Sequence, residues 1–70
     1  MHFSGTKLRQ LRENRGLSRE YFAHQTGRSF NSIVSYELGR SFPKPDTLAA
    51  MAFALGVPME ALFDAPMVLA

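Results

Sequence analysis

The sequence predicts a single all-α domain built from five short helices. Three observations indicate this class: apolar residues recur at helical spacing, serine or proline begins most of the segments, and glycine closes most of them. Seventy residues, 46% of them hydrophobic, leave room for only one core. The chain has no cysteine, so disulfides and thiolate metal sites cannot stabilise it. Helix packing or oligomerisation must therefore supply the stability.

The first three helices are predicted from their caps and their apolar stripes. Helix 1 covers about residues 6–15, where apolar and arginine side chains repeat at intervals of three and four. Ser18 and Ser29 are expected to cap helices 2 and 3, because their hydroxyls can accept bonds from free backbone N–H groups. Gly27 and Gly39 are expected to end these two helices.

The second half of the chain predicts two more helices after a loop. Residues 40–44 form the loop, and Pro45 begins helix 4, which Gly56 ends. A fifth helix is predicted over residues 58–63, with proline in its first turn. No strand pattern of convincing length is visible. Only the tail, residues 65–70, is expected to extend as an arm or an edge strand.

The composition argues against membrane, secreted and enzymatic classes. The longest apolar stretch, residues 48–57, is shorter than the ~18 residues that suggest a membrane span. The start of the chain lacks a basic region followed by an apolar one, so a cytoplasmic protein is expected. His2 and His24 are the only histidines, and no glycine-rich phosphate loop is present. We expect neither an enzyme nor a cofactor, a metal or a small-molecule ligand.

Charge is distributed unevenly along the chain. All eight basic residues lie in residues 1–44, together with three acidic ones, whereas residues 45–70 carry the other three acidic residues and no basic one. A basic front and an acidic, apolar rear suggest one surface for a polyanion and another for a protein. Ordinary solvated helix faces are the alternative explanation of the same spacing.

One pair of opposite charges lies on predicted inward stripes. Arg12 shares the inner face of helix 1 with Leu8, and Glu37 shares that of helix 3 with Ile33. A buried charge is tolerable when it is paired bidentately, so we predict an ion pair that holds helix 1 against helix 3. The alternative is that each side chain extends separately to water.

A longer pattern runs from Leu8 to Phe63. Its parts are Leu11-Arg12, Gly16-Leu17-Ser18, Ala23, Gly27, Ile33, Glu37-Leu38-Gly39-Arg40, Pro45-Asp46-Thr47-Leu48 and Leu55-Gly56-Val57. This series resembles the Cro and lambda-repressor class of helix-turn-helix proteins, often called Xre-like. Several independent positions are in register over about four-fifths of the chain, which makes the resemblance specific. It implies a five-helix DNA-binding domain over residues 1–64, in which helices 2 and 3 form the helix-turn-helix.

The resemblance also implies which residues contact DNA. In the family, helix 2 crosses the DNA backbone and helix 3 enters the major groove. Base contacts are implied for Phe30, Asn31 and Ser35, and helical spacing places Val34 on the same outward face. The resemblance and the positive charges together give these expected phosphate contacts: Ser18, Arg19, Arg28, Ser29, Arg40, Ser41 and Lys44.

These assignments have alternatives that the sequence leaves open. Asn31 is of the right type for bidentate pairing with adenine, but an exposed asparagine at a helix start is also simply solvated. Phe30 is suited equally to a thymine methyl and to the rim of the core. The cations are either phosphate contacts or solvated charges.

The resemblance predicts a transcriptional regulator that binds double-stranded DNA as a homodimer. One domain covers about one half-site, so two reading helices must lie about 34 Å apart on a two-fold operator. The expected dimer interface is apolar and includes the tail: Met59, Met67, Val68 and Leu69. A disordered tail is the alternative. The competing function is a protein-interaction module, antitoxin-like or a recombination accessory factor, that uses the same fold.

Overall fold

The computed structural model describes residues 2–64. In chain order the elements are β1 (His2–Phe3), α1 (Gly5–Asn14), α2 (Arg19–Thr26), α3 (Phe30–Glu37), α4 (Pro45–Leu55), a 3-10 turn (Met59–Leu62) and β2 (Phe63–Asp64). The four α-helices correspond to predicted helices 1 to 4, with α1 displaced by one residue towards the N-terminus. Across residues 2–64, no helix combines the length and the hydrophobicity that crossing a bilayer requires.

Serine side chains begin the first three helices. The hydroxyls of Ser4, Ser18 and Ser29 each accept a hydrogen bond from the backbone N–H three residues further on, at 3.0 to 3.1 Å. Gly27 and Gly56 end α2 and α4 with φ near 70°, a left-handed conformation in which other residues are strained. The boundaries of these helices are thus set by local side-chain and backbone chemistry.

The predicted fifth helix is wrong, because its segment forms a single 3-10 turn over Met59–Leu62. The N–H of Ala61 donates to the carbonyl of Pro58 at 3.0 Å, a bond between residues three apart. The carbonyl of Leu62 accepts from the N–H of Ser4 at 2.8 Å and is therefore committed outside the segment. So few residues cannot offset the cost of starting an α-helix.

The all-α class is also corrected, because the two ends of the described chain pair as a small antiparallel sheet. His2 lies opposite Asp64 and Phe3 opposite Phe63. Strands of two residues are too short to produce the alternation from which strands are predicted. The extended segment predicted at residues 65–70 lies outside the described residues.

The hydrophobic core lies between the four helices and the 3-10 turn. Its fully buried side chains come from every one of these elements: Leu8, Phe22, Ile33, Met51, Leu55 and Leu62. The 3-10 turn thus contributes a core side chain without forming an α-helix.

Helix α1 packs very closely against the end of α3. A Cβ atom at Gly5 would lie 2.6 Å from the carbonyl oxygen of Glu37 and would also overlap that of Tyr36. Both neighbours are backbone atoms, which cannot move aside as a flexible side chain would. Only glycine permits this approach, and the approach fixes the position of α3 relative to α1.

An aromatic cluster connects the loop after α3 to the terminal sheet. The ring of Phe3 packs edge-to-face on Phe63 at a centroid distance of 6.3 Å and on Phe42 at 6.5 Å. Phe42 belongs to the loop between α3 and α4, and it remains 70% exposed. The cluster holds this loop against the body of the domain.

Candidate nucleic-acid interface

The outer face of α3 carries the four residues that were expected to contact bases. Asn31 is exposed and Phe30 is 42% exposed, both in the first turn of the helix. Val34 and Ser35 lie one turn later and are half-buried, whereas Ile33 on the opposite face belongs to the core. Asn31 is therefore the most accessible polar group on this face.

The N-caps of α2 and α3 are two of the expected phosphate contacts. The hydroxyl of Ser18 accepts from the N–H of Tyr21, and that of Ser29 accepts from the N–H of Ser32, both at 3.0 Å. Ser29 also donates its proton to the hydroxyl of Ser32 at 2.9 Å. Both caps are exposed, at helix ends whose partial positive charge favours anions.

Two expected contact residues, one for bases and one for phosphate, bind each other. The hydroxyl oxygens of Ser35 and Ser41 lie 2.8 Å apart, which joins the outer face of α3 to the loop that follows. Gly39, with φ of 74°, reverses the chain between them. The sequence did not predict this contact, because it depends on the path of the chain beyond the helix.

Glu37 joins three helices through a buried ion network. Arg12 donates to it twice, from Nε to Oε2 at 2.6 Å and from Nη2 to Oε1 at 3.2 Å. The side chains of Glu37 and Arg12 are only 2% and 7% exposed. The structure thus brings the two predicted partners together in a bidentate pair, and Arg12 also donates to the carbonyl of Leu17 at 2.7 Å.

The carboxylate of Glu37 also binds Arg19, a residue that was expected to contact phosphate. Its Nε donates to Oε1 of Glu37 at 2.9 Å, and its side chain is 36% exposed. Eighteen residues separate these partners, so no local spacing in the sequence signals the pair. The bond uses Nε, and over residues 2–64 the two terminal nitrogens of this guanidinium form no hydrogen bond.

The basic residues divide into two groups by what they contact. Five form hydrogen bonds or ion pairs within the fold: Lys7, Arg9, Arg12, Arg15 and Arg19. Over residues 2–64, the side chains of the other three form neither: Arg28, Arg40 and Lys44. All three are exposed: Arg28 lies two residues before α3, Arg40 lies three residues after it, and Lys44 lies at the end of the following loop, next to α4. The positive charge that the fold does not use, over residues 2–64, therefore lies in the two chain segments that flank α3.

The expected dimer residues fall mostly outside the described chain. Met59 is half-buried and packs against the core, so it contributes to the monomer fold as well. Met67, Val68 and Leu69 lie beyond residue 64 and outside the described residues. The dimer interface therefore stays a prediction.

Helices α2 and α3, with the three-residue turn 27–29 between them, define a helix-turn-helix protein. The family model described as a helix-turn-helix domain matches residues 5–65, and the chain belongs to that family. The chain is 37% identical over 57 residues to the transcriptional repressor RstR of a cryptic phage CTXphi of Vibrio cholerae. That match covers 81% of this chain and 51% of the repressor, so the chain spans about half the length of this relative.

Solved structures with the same fold include named regulators. The restriction-modification controller protein C.AhdI from Aeromonas hydrophila has a TM-score of 0.81 and 30% identity, over 84% of this chain and 89% of its own. The hypothetical transcription factor NHTF from Neisseria has a TM-score of 0.80 and 31% identity, over 89% and 71% respectively. ComR from S. thermophilus, solved with DNA and its signalling peptide, has a TM-score of 0.79 and 27% identity, over 94% and 23%.

These relatives confirm the resemblance to the Xre-like class. The family is one of helix-turn-helix transcriptional regulators, and it includes repressors. The alternative of a protein-interaction module is not favoured by any of the relatives described above.

Proposed function

We propose that this protein is a sequence-specific transcriptional regulator that binds double-stranded DNA with α3 in the major groove. The observation that carries the proposal is the position of three cations whose side chains are unpaired over residues 2–64: Arg28 and Arg40 lie within three residues of the two ends of α3, and Lys44 ends the loop that follows it. Phosphates border the major groove on both sides, and cations that neutralise them supply most of the non-specific affinity. An α-helix with its side chains is about 10–12 Å wide, which fits a groove about 12 Å wide.

The acidic residue of α3 does not oppose this function. Glu37 faces inward and is held by the guanidinium groups of Arg12 and Arg19. With Arg9 and Glu13, which pair with each other and adjoin Arg12, the network joins three positive charges to two negative ones, so as a whole it attracts a phosphate backbone instead of repelling it. The outer face of α3 carries no charge of its own.

Base recognition in this proposal falls to the residues on the outer face. The exposed amide of Asn31 matches the N6 and N7 edge of adenine, which it pairs with bidentately. The hydroxyl of Ser35 serves as a polar contact one turn later. The apolar side chains of Phe30 and Val34 suit the methyl group of thymine.

The proposal includes a homodimer on a two-fold operator. A single α3 presents only four side chains to the bases, which specifies about one half-site. Two copies related by a two-fold axis place their recognition helices about 34 Å apart, one turn of DNA. Met59 and the tail residues Met67, Val68 and Leu69 are the proposed contacts between copies.

The function is tested by selecting bound duplexes from a randomised pool at one fixed salt concentration. We expect an enriched motif with two-fold symmetry and half-site centres about 10 base pairs apart, or a multiple of that spacing. If the selected motif is a single half-site, and sedimentation of the complex shows a monomer, then the proposed homodimer is wrong. If no motif is enriched at any salt concentration, the proposed function is wrong.

Replacing Arg28, Arg40 or Lys44 by alanine is expected to weaken binding equally on selected and scrambled duplexes. Each chain then loses one phosphate contact, so the slope of log K against log salt falls by about 1 per chain. A salt titration of fluorescence anisotropy measures the slope. Arg9→Ala is the matched control, since Arg9 is paired with Glu13 on α1. Equal slopes for all four variants would contradict the assignment.

A further inference from the structure

We propose that Ser41 sets the base preference of Ser35, so that this position of α3 reads the exocyclic amino group of adenine or cytosine. Ser41 is then a positioning residue that determines specificity without touching a base. The inference rests on the proposed function, because it needs α3 in the major groove. It goes further by naming which base edges one side chain accepts and why.

The starting observation is the 2.8 Å contact between the hydroxyl oxygens of Ser35 and Ser41. A serine hydroxyl has one proton and two lone pairs. An unpartnered serine can donate or accept, and it therefore contacts any of the four bases. A serine whose proton is already committed to a neighbour can only accept. The direction of this one bond thus decides what Ser35 recognises.

The surroundings of Ser41 fix that direction once DNA is bound. Ser41 lies between the exposed cations Arg40 and Lys44, in the loop that leaves the end of α3. With α3 in the groove, these cations bring the loop to the phosphates along its border. A phosphate oxygen only accepts hydrogen bonds, so the hydroxyl of Ser41 donates its single proton to the phosphate. The oxygen of Ser41 is then left to accept, and Ser35 is the donor between the two.

The resulting chain of hydrogen bonds runs from Ser35 through Ser41 to phosphate. Ser35 then has only its lone pairs left for contact with the bases, so it can accept a hydrogen bond from a base but cannot donate one. In the major groove, hydrogen-bond donors are found only on adenine N6 and cytosine N4, whereas guanine and thymine present acceptors there. Ser35 therefore accepts from adenine or cytosine and rejects guanine and thymine.

Two further features favour this arrangement. The loop is held in place, because Phe42, next to Ser41, packs edge-to-face on Phe3. Bonds in a connected chain also polarise one another, which strengthens the last of them.

The other serine pair of the region, Ser29 with Ser32, lies within the first turn of α3 and does not reach the loop. It provides a matched control.

The test is selection from a randomised duplex pool with the full chain and four variants: Ser35→Ala, Ser41→Ala, Ser41→Thr and Ser32→Ala. For the parent chain we expect one position in each half-site to favour adenine or cytosine over guanine and thymine by about 3- to 10-fold. Ser35→Ala and Ser41→Ala lose this preference and keep the rest of the motif. Ser41→Thr, which retains the hydroxyl, restores it, and Ser32→Ala leaves it unchanged.

Three outcomes overturn the inference. The first is a preference for guanine or thymine at the position that Ser35→Ala alters, and the second is a Ser41→Ala motif identical to that of the parent. In both cases the proposed function stands, because a motif was selected. The third is a parent chain that selects no motif, which overturns the function and the inference together. Thermal unfolding of each variant verifies that it is folded under the conditions of selection.

Discussion

Replacing Glu37 by alanine is expected to lower the free energy of unfolding by about 3 to 5 kcal/mol. The substitution leaves the guanidinium of Arg12 buried without its bidentate partner; what remains is its bond to the carbonyl of Leu17 and the exposed carboxylate of Glu13, 4.0 Å from Nη2. It also removes the contact of Arg19, so three helices lose their common link. Native proteins in general are stable by about 5 to 15 kcal/mol, and a core this small rarely supplies more than about 3 to 5, so most of the margin disappears. Chemical unfolding followed by far-ultraviolet circular dichroism measures the loss.

Two further variants separate the buried network from ordinary surface charge. Asp64→Ala removes an exposed carboxylate that pairs with Lys7, outside the network, and a change of at most about 1 kcal/mol is expected. Combining Glu37→Leu with Arg12→Met replaces both buried charges by apolar side chains, which should recover most of the lost stability. An unfolding midpoint of Glu37→Ala equal to that of the parent chain would show that the network contributes nothing.

The network also connects stability with DNA binding. Glu37 binds Nε of Arg19, the first residue of α2, and this bond leaves the two terminal nitrogens of that guanidinium unused. An arginine held in this way loses less side-chain entropy when it contacts phosphate than a free one does. Arg19 therefore both stabilises the fold and fits the phosphate contact proposed for it.

The sequence predicts well the features that depend on nearby residues. Ser18 and Ser29 cap helices through atoms three residues away, and Gly27 ends α2 through its own φ angle. The inward stripes likewise place Arg12 and Glu37 on facing sides, because helical periodicity alone determines the face of each residue. Such features need only the local chain, so a single sequence contains the necessary information.

The features that the sequence did not predict depend on residues far apart in the chain. The 3-10 turn near residue 60 ends where it does because the carbonyl of Leu62 binds the N–H of Ser4. Arg15 donates to the carbonyl of Leu55, forty residues away, where α4 ends. The pairing of Ser35 with Ser41 depends on a loop held by Phe3 and Phe42. Each of these follows from tertiary packing, which overrides local propensity.

Replacing Asn31 by alanine is expected to lower the sequence preference by one adenine contact in each half-site while leaving most of the non-specific affinity. A bidentate contact between asparagine and adenine contributes about 1 to 3 kcal/mol of discrimination, and a two-fold complex contains two such contacts, so the total reaches about 2 to 6 kcal/mol. The side chain is exposed and carries no charge, so the fold and the salt dependence of binding should both be retained. The ratio of dissociation constants on selected and scrambled duplexes, at fixed salt, measures the effect.

The matched control for this substitution is Asn14→Ala. Asn14 is also an exposed asparagine, but it lies at the last residue of α1, outside the helix-turn-helix, so its loss should leave the ratio unchanged. If Asn31→Ala keeps the parent ratio, its amide is a solvated group and base recognition must come from the other residues of α3. If instead the ratio falls only for Asn31→Ala, then the first turn of α3 reads the operator, since contact with base edges is the direct way in which an uncharged amide distinguishes one duplex from another.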